Sequence, residues 1–176
     1  MPTYSLDADV LVALAADTVE GIVHNGADVN APILAGYDIF GCFKLLSHHG
    51  TWLQVKGKSA PPDKQIHVSK DAAEDRSDVW IFYKFRTGDN EYALCNYSTH
   101  RFVTADLWQW VTCNRAFPYA WEHFQVHHQG EHVALLCRAS PLGPRWLTVE
   151  PNGNVRSNQR MADAWEKWTL VPFKHE

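Results

Sequence analysis

Two tryptophans separated by one residue, Trp108 and Trp110 in the stretch ADLWQWV (105–111), stand where the flanking residues predict a tight turn between two strands. Such a turn normally carries Asn, Gly or Pro, whose backbone preferences suit it. Indole faces offer a different chemistry: they stack on the C–H face of a sugar, on another aromatic ring or on a cation. Asp106, Gln109, Asn114 and Arg115 lie close in sequence and would add a few directed hydrogen bonds. Trp108, Trp110, Asp106, Gln109, Asn114 and Arg115 are therefore the candidate ligand-binding residues. The opposing expectation is that the N-terminal extension, or a second copy of the chain, covers these rings.

Other residue types that could do chemistry are less well organised. Glu122 and Glu166 each close an A-W-E triplet. Two carboxyls roughly 5–10 Å apart would suit glycoside hydrolysis, but recurrence at one place in a repeat points to architecture. SHHG (His48, His49) and HHQGEH (His127, His128, His132) fall at predicted turns. Imidazole is a common metal ligand, yet a structural site needs four ligands of defined geometry. Solvated loops, titrating together near neutral pH, are the expectation. Cys42, Cys95, Cys113 and Cys137 lack C-x-x-C spacing and read as buried thiols. No G-x-S-x-G elbow, P-loop, dinucleotide fingerprint or H-E-x-x-H occurs. No catalytic residue is assigned, and no cofactor or metal is expected.

The elements that must position these residues come from repetition. Sliding the chain by 44 residues lays RFVTADLWQWVTCNRAFPYAWEHFQV, from Arg101, on RWLTVEPNGNVRSNQRMADAWEKWTL, from Arg145, without a gap. The identical pairs are Arg101/Arg145, Thr104/Thr148, Val111/Val155, Asn114/Asn158, Ala120/Ala164, Trp121/Trp165 and Glu122/Glu166. A looser third copy starts at Gly50-Thr51-Trp52-Leu53 and ends with Trp80 in register with Trp121 and Trp165. That register leaves Ile81 where the sister copies have Glu122 and Glu166. Its extra length falls in KGKSAPPDKQ and KDAAEDRS, both loop-like. Each copy follows a short apolar strand: CFKLLS, YALCN or VALLC.

Each unit thus reads as four short strands bounded by Gly, Pro, Asn, Asp or Ser. Three such units cannot each bury an apolar face alone and must share one core. A closed threefold assembly, six strands forming a barrel and three hairpins capping one end, satisfies this. The expected fold is all-β, a β-trefoil, over residues 37–176, with units at about 37–86, 87–130 and 131–173. Residues 1–36 form an extension outside the repeats. There, DADVLVALAADTVEGIV carries a passable helical stripe, and NGADVNAPILAG reads as a linker.

The unit R-[FW]-[VL]-T … [VT]-x-[CS]-N … A-W-E-x-[FW] resembles the repeat of fascin-like β-trefoils, the superfamily of actin-bundling fascin and hisactophilin. The likeness covers roughly residues 37–173 and is clearest in the second and third units. It implies the trefoil fold and actin as a protein partner. The repeated Q-x-W motifs of ricin-type lectin trefoils are absent.

Composition bounds the rest. The chain has 176 residues, 45% hydrophobic and 20% charged, with eight Trp and a net charge of −4. That balance gives no footprint for nucleic acid or an anionic membrane. The start, MPTYSLDADV, has acids where a signal peptide needs positive charge, so the expected compartment is cytoplasmic. The expected function is a non-catalytic binding module that recognises a carbohydrate or a protein surface through exposed aromatics. Two alternatives differ in class. One is a small-molecule enzyme, a cyclase or hydrolase with an aromatic-lined pocket at the capped end. The other is a structural subunit that forms homo-oligomers through the N-terminal extension.

Overall fold

The computed structural model describes residues 4–5, 33–56, 65–88, 90–106, 110–129, 131–139 and 143–173. The helical stripe and most of the linker expected before residue 33 lie outside the described residues, as does the long loop 57–64. A two-residue strand β1 (Tyr4–Ser5) precedes three sets of four strands. The first set is β2 (Tyr37–Ser47), β3 (Trp52–Val55), β4 (Ile66–Ser69) and β5 (Trp80–Phe85). The second is β6 (Glu91–Asn96), β7 (Phe102–Ala105), β8 (Val111–Arg115) and β9 (Phe124–Gln129). The third is β10 (His132–Cys137), β11 (Arg145–Val149), β12 (Val155–Gln159) and β13 (Trp168–Pro172). We call these sets units one, two and three.

The first and last strands of each unit pair in the order β9-β10-β13-β2-β5-β6, and β9 also pairs β6. The six therefore close into a barrel with no open edge in the ring. The hairpins β3–β4, β7–β8 and β11–β12 hang from its rim, and β4, β8 and β12 pack on one another about the threefold axis. This is a β-trefoil. β1 joins the outer edge of β9, Tyr4 opposite His128 and Ser5 opposite His127.

Alternation along the barrel strands builds the core. Phe43, Tyr92 and Val133 on the first strands meet Trp80, Phe124 and Trp168 on the last. All six belong to one buried cluster that continues into Leu53, Val103 and Leu147 of the hairpins. The hairpin turns close alike: Lys56 N–H donates to Gln65 O, Asp106 N–H to Trp110 O, and Glu150 N–H to Asn154 O. The third closes on turn chemistry of the expected kind, with Gly153 at φ +90°.

These pairings correct the expected register of unit one by three residues. Trp80 occupies the place of Phe124 and Trp168, not that of Trp121 and Trp165. Trp121 and Trp165 lie in short 3₁₀ turns, Ala120–Glu122 and Ala164–Glu166, rather than on strands. Trp165 is 42% exposed, and the aromatics buried at the start of the last strands are Trp80, Phe124 and Trp168. The acid of unit one is Asp78, two residues before β5, as Glu122 and Glu166 stand two residues before β9 and β13. All three acids are buried. Each accepts a backbone N–H from the preceding loop: Ala73 to Asp78, Tyr119 to Glu122 and Asp163 to Glu166. Their role is to hold that loop against the barrel. The histidines also redistribute: His48 and His49 sit in a turn, but His127, His128 and His132 lie on strands.

Candidate functional site

Of the six residues singled out around the second hairpin, the four that are described fall into two separate pairs. Asp106 and Trp110 stand at the tip. Asp106 accepts the Trp110 N–H through Oδ1 at 2.9 Å, which closes the turn without glycine. The Trp110 ring is half-buried, and the Arg156 guanidinium lies 4.0 Å from its centroid. Arg156 is fixed in turn by Glu150 at 2.6 Å, so the tip of unit two is clamped to unit three. One indole face thus already carries a cation. Trp108 and Gln109 lie outside the described residues. Asn114 and Arg115 are exposed at the far end of β8, about 16 Å away at ~3.3 Å per residue.

Beyond Arg115 the chain forms the loop that leads to β9, and a site takes shape there. Tyr119 is 68% exposed and Phe117 39%, with ring centroids 5.5 Å apart. Both are held out by the 3₁₀ turn Ala120–Glu122, which Glu122 ties down from beneath. A cleft of about 390 Å³ opens on one side of Ala120, with Glu91, His123, Gln125 and Arg138 among its walls. A second hollow of about 320 Å³, lined by Arg115, Tyr119, Trp121 and Glu122, adjoins it at Ala120. The site therefore spans two units: the loop after β8 and the residue that follows β10.

A buried hydrogen-bond chain supports this loop from unit one. The Tyr37 hydroxyl lies 2.5 Å from His123 Nε2, and His123 Nδ1 lies 3.2 Å from Glu91 Oε2. The same hydroxyl donates to Pro118 O at 3.4 Å, so one side chain touches both ends of the loop. Phe85 packs on the His123 ring with centroids 4.7 Å apart. Burial, and then the carboxylates of Glu122 and Glu91, push the Tyr37 phenol up to about 12, so it stays a neutral donor.

Chemically, the cleft alternates acceptors (Glu91, the Gln125 carbonyl) with donors (Arg138, the Gln125 amide) beside exposed aromatic faces. Such an arrangement matches a polyhydroxylated ligand, whose hydroxyls both donate and accept and whose C–H faces stack on rings. Among the described residues no cluster of three or more His, Cys, Asp or Glu could hold a metal ion. Cys42 and Cys95 flank Ile81 on adjacent strands, two strand spacings or about 9.6 Å apart, too far to bridge. Burial raises both thiols to about 12. Cys113 is also buried, and burial raises its pKa further.

Tyr119, His123, Glu91, Gln125 and Arg138 were not among the residues singled out from sequence. One signal was present: the 44-residue alignment sets Phe117 and Tyr119 against Met161 and Asp163, so unit two places aromatics where its sister does not. The pairing of this loop with Arg138, from the next unit, needs the closed barrel to be seen.

No protein-family model and no curated protein matches the chain. Solved structures do. The designed threefold-symmetric protein ThreeFoil superposes with a TM-score of 0.62 at 18% identity, over 75% of this chain and 99% of that one. The Polyporus squamosus lectin, solved with the human-type influenza-binding epitope Neu5Acα2-6Galβ1-4GlcNAc bound, superposes with a TM-score of 0.62 at 13% identity. That match covers 80% of this chain and 50% of the lectin, so the chain spans about half the lectin's length. At these identities the likeness is one of fold.

Proposed function

We propose that the chain is a non-catalytic carbohydrate-binding β-trefoil module, and that its binding surface is the groove on either side of the turn Ala120–Glu122. The observation that carries this reading is the exposed pair Phe117 and Tyr119 beside a cleft of mixed donors and acceptors. The lectin neighbour supports it, because that protein was solved with a glycan epitope bound. Of the residues chosen from sequence, Arg115 lines this groove, and Asn114 precedes it on the same strand. Trp110 and Asp106 serve to close the hairpin.

The test is calorimetric titration with oligosaccharides selected on a glycan array, run on Tyr119→Ala and on Trp108→Ala. Loss of a stacked ring should weaken binding by about tenfold in Tyr119→Ala, with the melting temperature unchanged. If Trp108→Ala loses affinity and Tyr119→Ala does not, the binding surface is the hairpin tip instead.

A second reading follows from the fascin-like resemblance: a protein surface, actin being the family's partner. The exposed Met161 and Trp165, in register with Phe117 and Trp121, favour it, since apolar side chains of this kind suit a protein contact. Co-sedimentation with filamentous actin, lost in Trp165→Ala, would select it.

A further inference from the structure

The three loops between third and fourth strands are equivalent by the pseudo-threefold axis, and so are the residues that follow the first strand of the next unit. Register makes Arg115 equivalent to Gln159 and Ser69, since these oppose Phe102, Trp146 and Trp52. It makes Arg138 equivalent to His48 and Tyr97, each the residue after its first strand. Unit two's loop therefore faces two arginines, unit three's faces Gln159 and His48, and unit one's faces Ser69 and Tyr97. Five residues before the last strand, the sister loops carry acids, Asp75 and Asp163. Unit two has Tyr119 there.

The acids that remain in this site are engaged within the protein. Glu91 pairs with His123, and Glu122 accepts the Tyr119 N–H in its buried position. Arg115 and Arg138 are exposed, and neither guanidinium makes an ion pair or hydrogen bond with another described residue. Two exposed guanidiniums, one in each of the adjoining hollows, run against the charge of a chain whose net charge is −4. A guanidinium presents a planar fork of donors that fits a carboxylate or sulfate bidentately.

We infer that the ligand of this groove is an acidic saccharide, whose carboxylates or sulfates are received by Arg138 in one hollow and Arg115 in the other while a ring stacks on Tyr119. This rests on the carbohydrate reading above and narrows it. The experiment is titration of the whole chain with three probes: an oligogalacturonate, a sulfated heparin-derived tetrasaccharide and the neutral maltotetraose. Citrate serves as a control for carboxylates that have no sugar. At least one acidic probe should bind and maltotetraose should not, with affinity falling as salt is raised. Arg138→Gln and Arg115→Gln should each weaken the acidic probe by about tenfold, with circular dichroism unchanged. The two acidic arms tell carboxylate from sulfate.

If maltotetraose binds as well as the acidic probes, and both are lost in Tyr119→Ala, the inference fails and the carbohydrate reading stands. Equal binding of citrate would likewise remove the saccharide from the inference. If no saccharide on the array or among these probes binds, both readings fail together.

Discussion

At equivalent rungs of the barrel, unit one pairs Cys42 with Ile81 and unit two pairs Glu91 with Gln125. The backbones match, but the chemistry does not. The rung of unit one lies inside a second apolar cluster, outside the barrel, with Leu34, Val79, Tyr83, Ala93 and Cys95. The rung of unit two opens into the cleft beside Tyr119. Inside the barrel the two units stay alike, Phe43 and Trp80 in one, Tyr92 and Phe124 in the other. Closure of the ring therefore constrains the inward residues, while the outward ones are free to seal a face or to line a site.

The largest test of the sealed face is alkaline pH. Burial raises Cys42 and Cys95 from 9.0 to about 12, and Tyr37 from 10.0 to about 12. In each case the neutral form is the one the fold retains. Their contribution to stability is complete below about pH 9, where unfolded thiols keep their protons. It is lost as pH rises towards 12, because the unfolded chain ionises first. Thermal denaturation followed from pH 8 upward should show a steep fall in Tm, and Cys42→Ala with Cys95→Ala should flatten it. A wild-type curve that stays level would mean that the outer face of unit one admits water.

Exchanging the rungs gives a smaller and more local effect. Ile81 is fully buried in this largely apolar cluster, so Ile81→Gln takes an amide out of water into packed side chains. The expected cost is about 3 kcal/mol, read as a lower urea midpoint at unchanged slope. The reverse exchange, Gln125→Ile, should cost about 1 kcal/mol, since it removes the bond to His127 but adds apolar area. Equal costs for the two would erase the distinction between a sealed and an open face.

Much of the architecture was legible because repetition is a sequence property. The ungapped match of Arg101 onward with Arg145 onward implied four strands per unit and hence a shared, closed core. Unit one misled because its tryptophan was matched by residue type. Trp80 resembles Trp121 and Trp165, yet the strand face it occupies is that of Phe124 and Trp168, and the error hid Asp78 as the third buried acid. The site was harder. Arg115 was chosen for its nearness to LWQW; it lines a hollow with Tyr119, and Arg138 lines the adjoining cleft. Arg138 comes from the next unit, 23 positions further on in the sequence. No local pattern marks that pairing, because it exists only once β9 and β10 lie side by side. The indole of Trp110 looked available in sequence because its cover, Arg156, is also contributed by another unit.

Tyr37 lies on the boundary between the two faces, and its substitution should produce the smallest effect. Its ring packs in the sealed cluster of unit one, while its hydroxyl reaches His123 and Pro118 at both ends of unit two's loop. Tyr37→Phe keeps the ring and removes only the hydroxyl. It should cost about 1 kcal/mol, because His123 loses one partner but keeps Glu91. If the sealed face braces the open one, saccharide affinity should also fall a few-fold, since Tyr119 would be held less firmly. Adding Glu91→Gln should then cost less than it does in the wild-type chain, because the two groups act through one imidazole. Unchanged affinity in Tyr37→Phe, together with additive losses in the double variant, would show that the groove is set within units two and three alone.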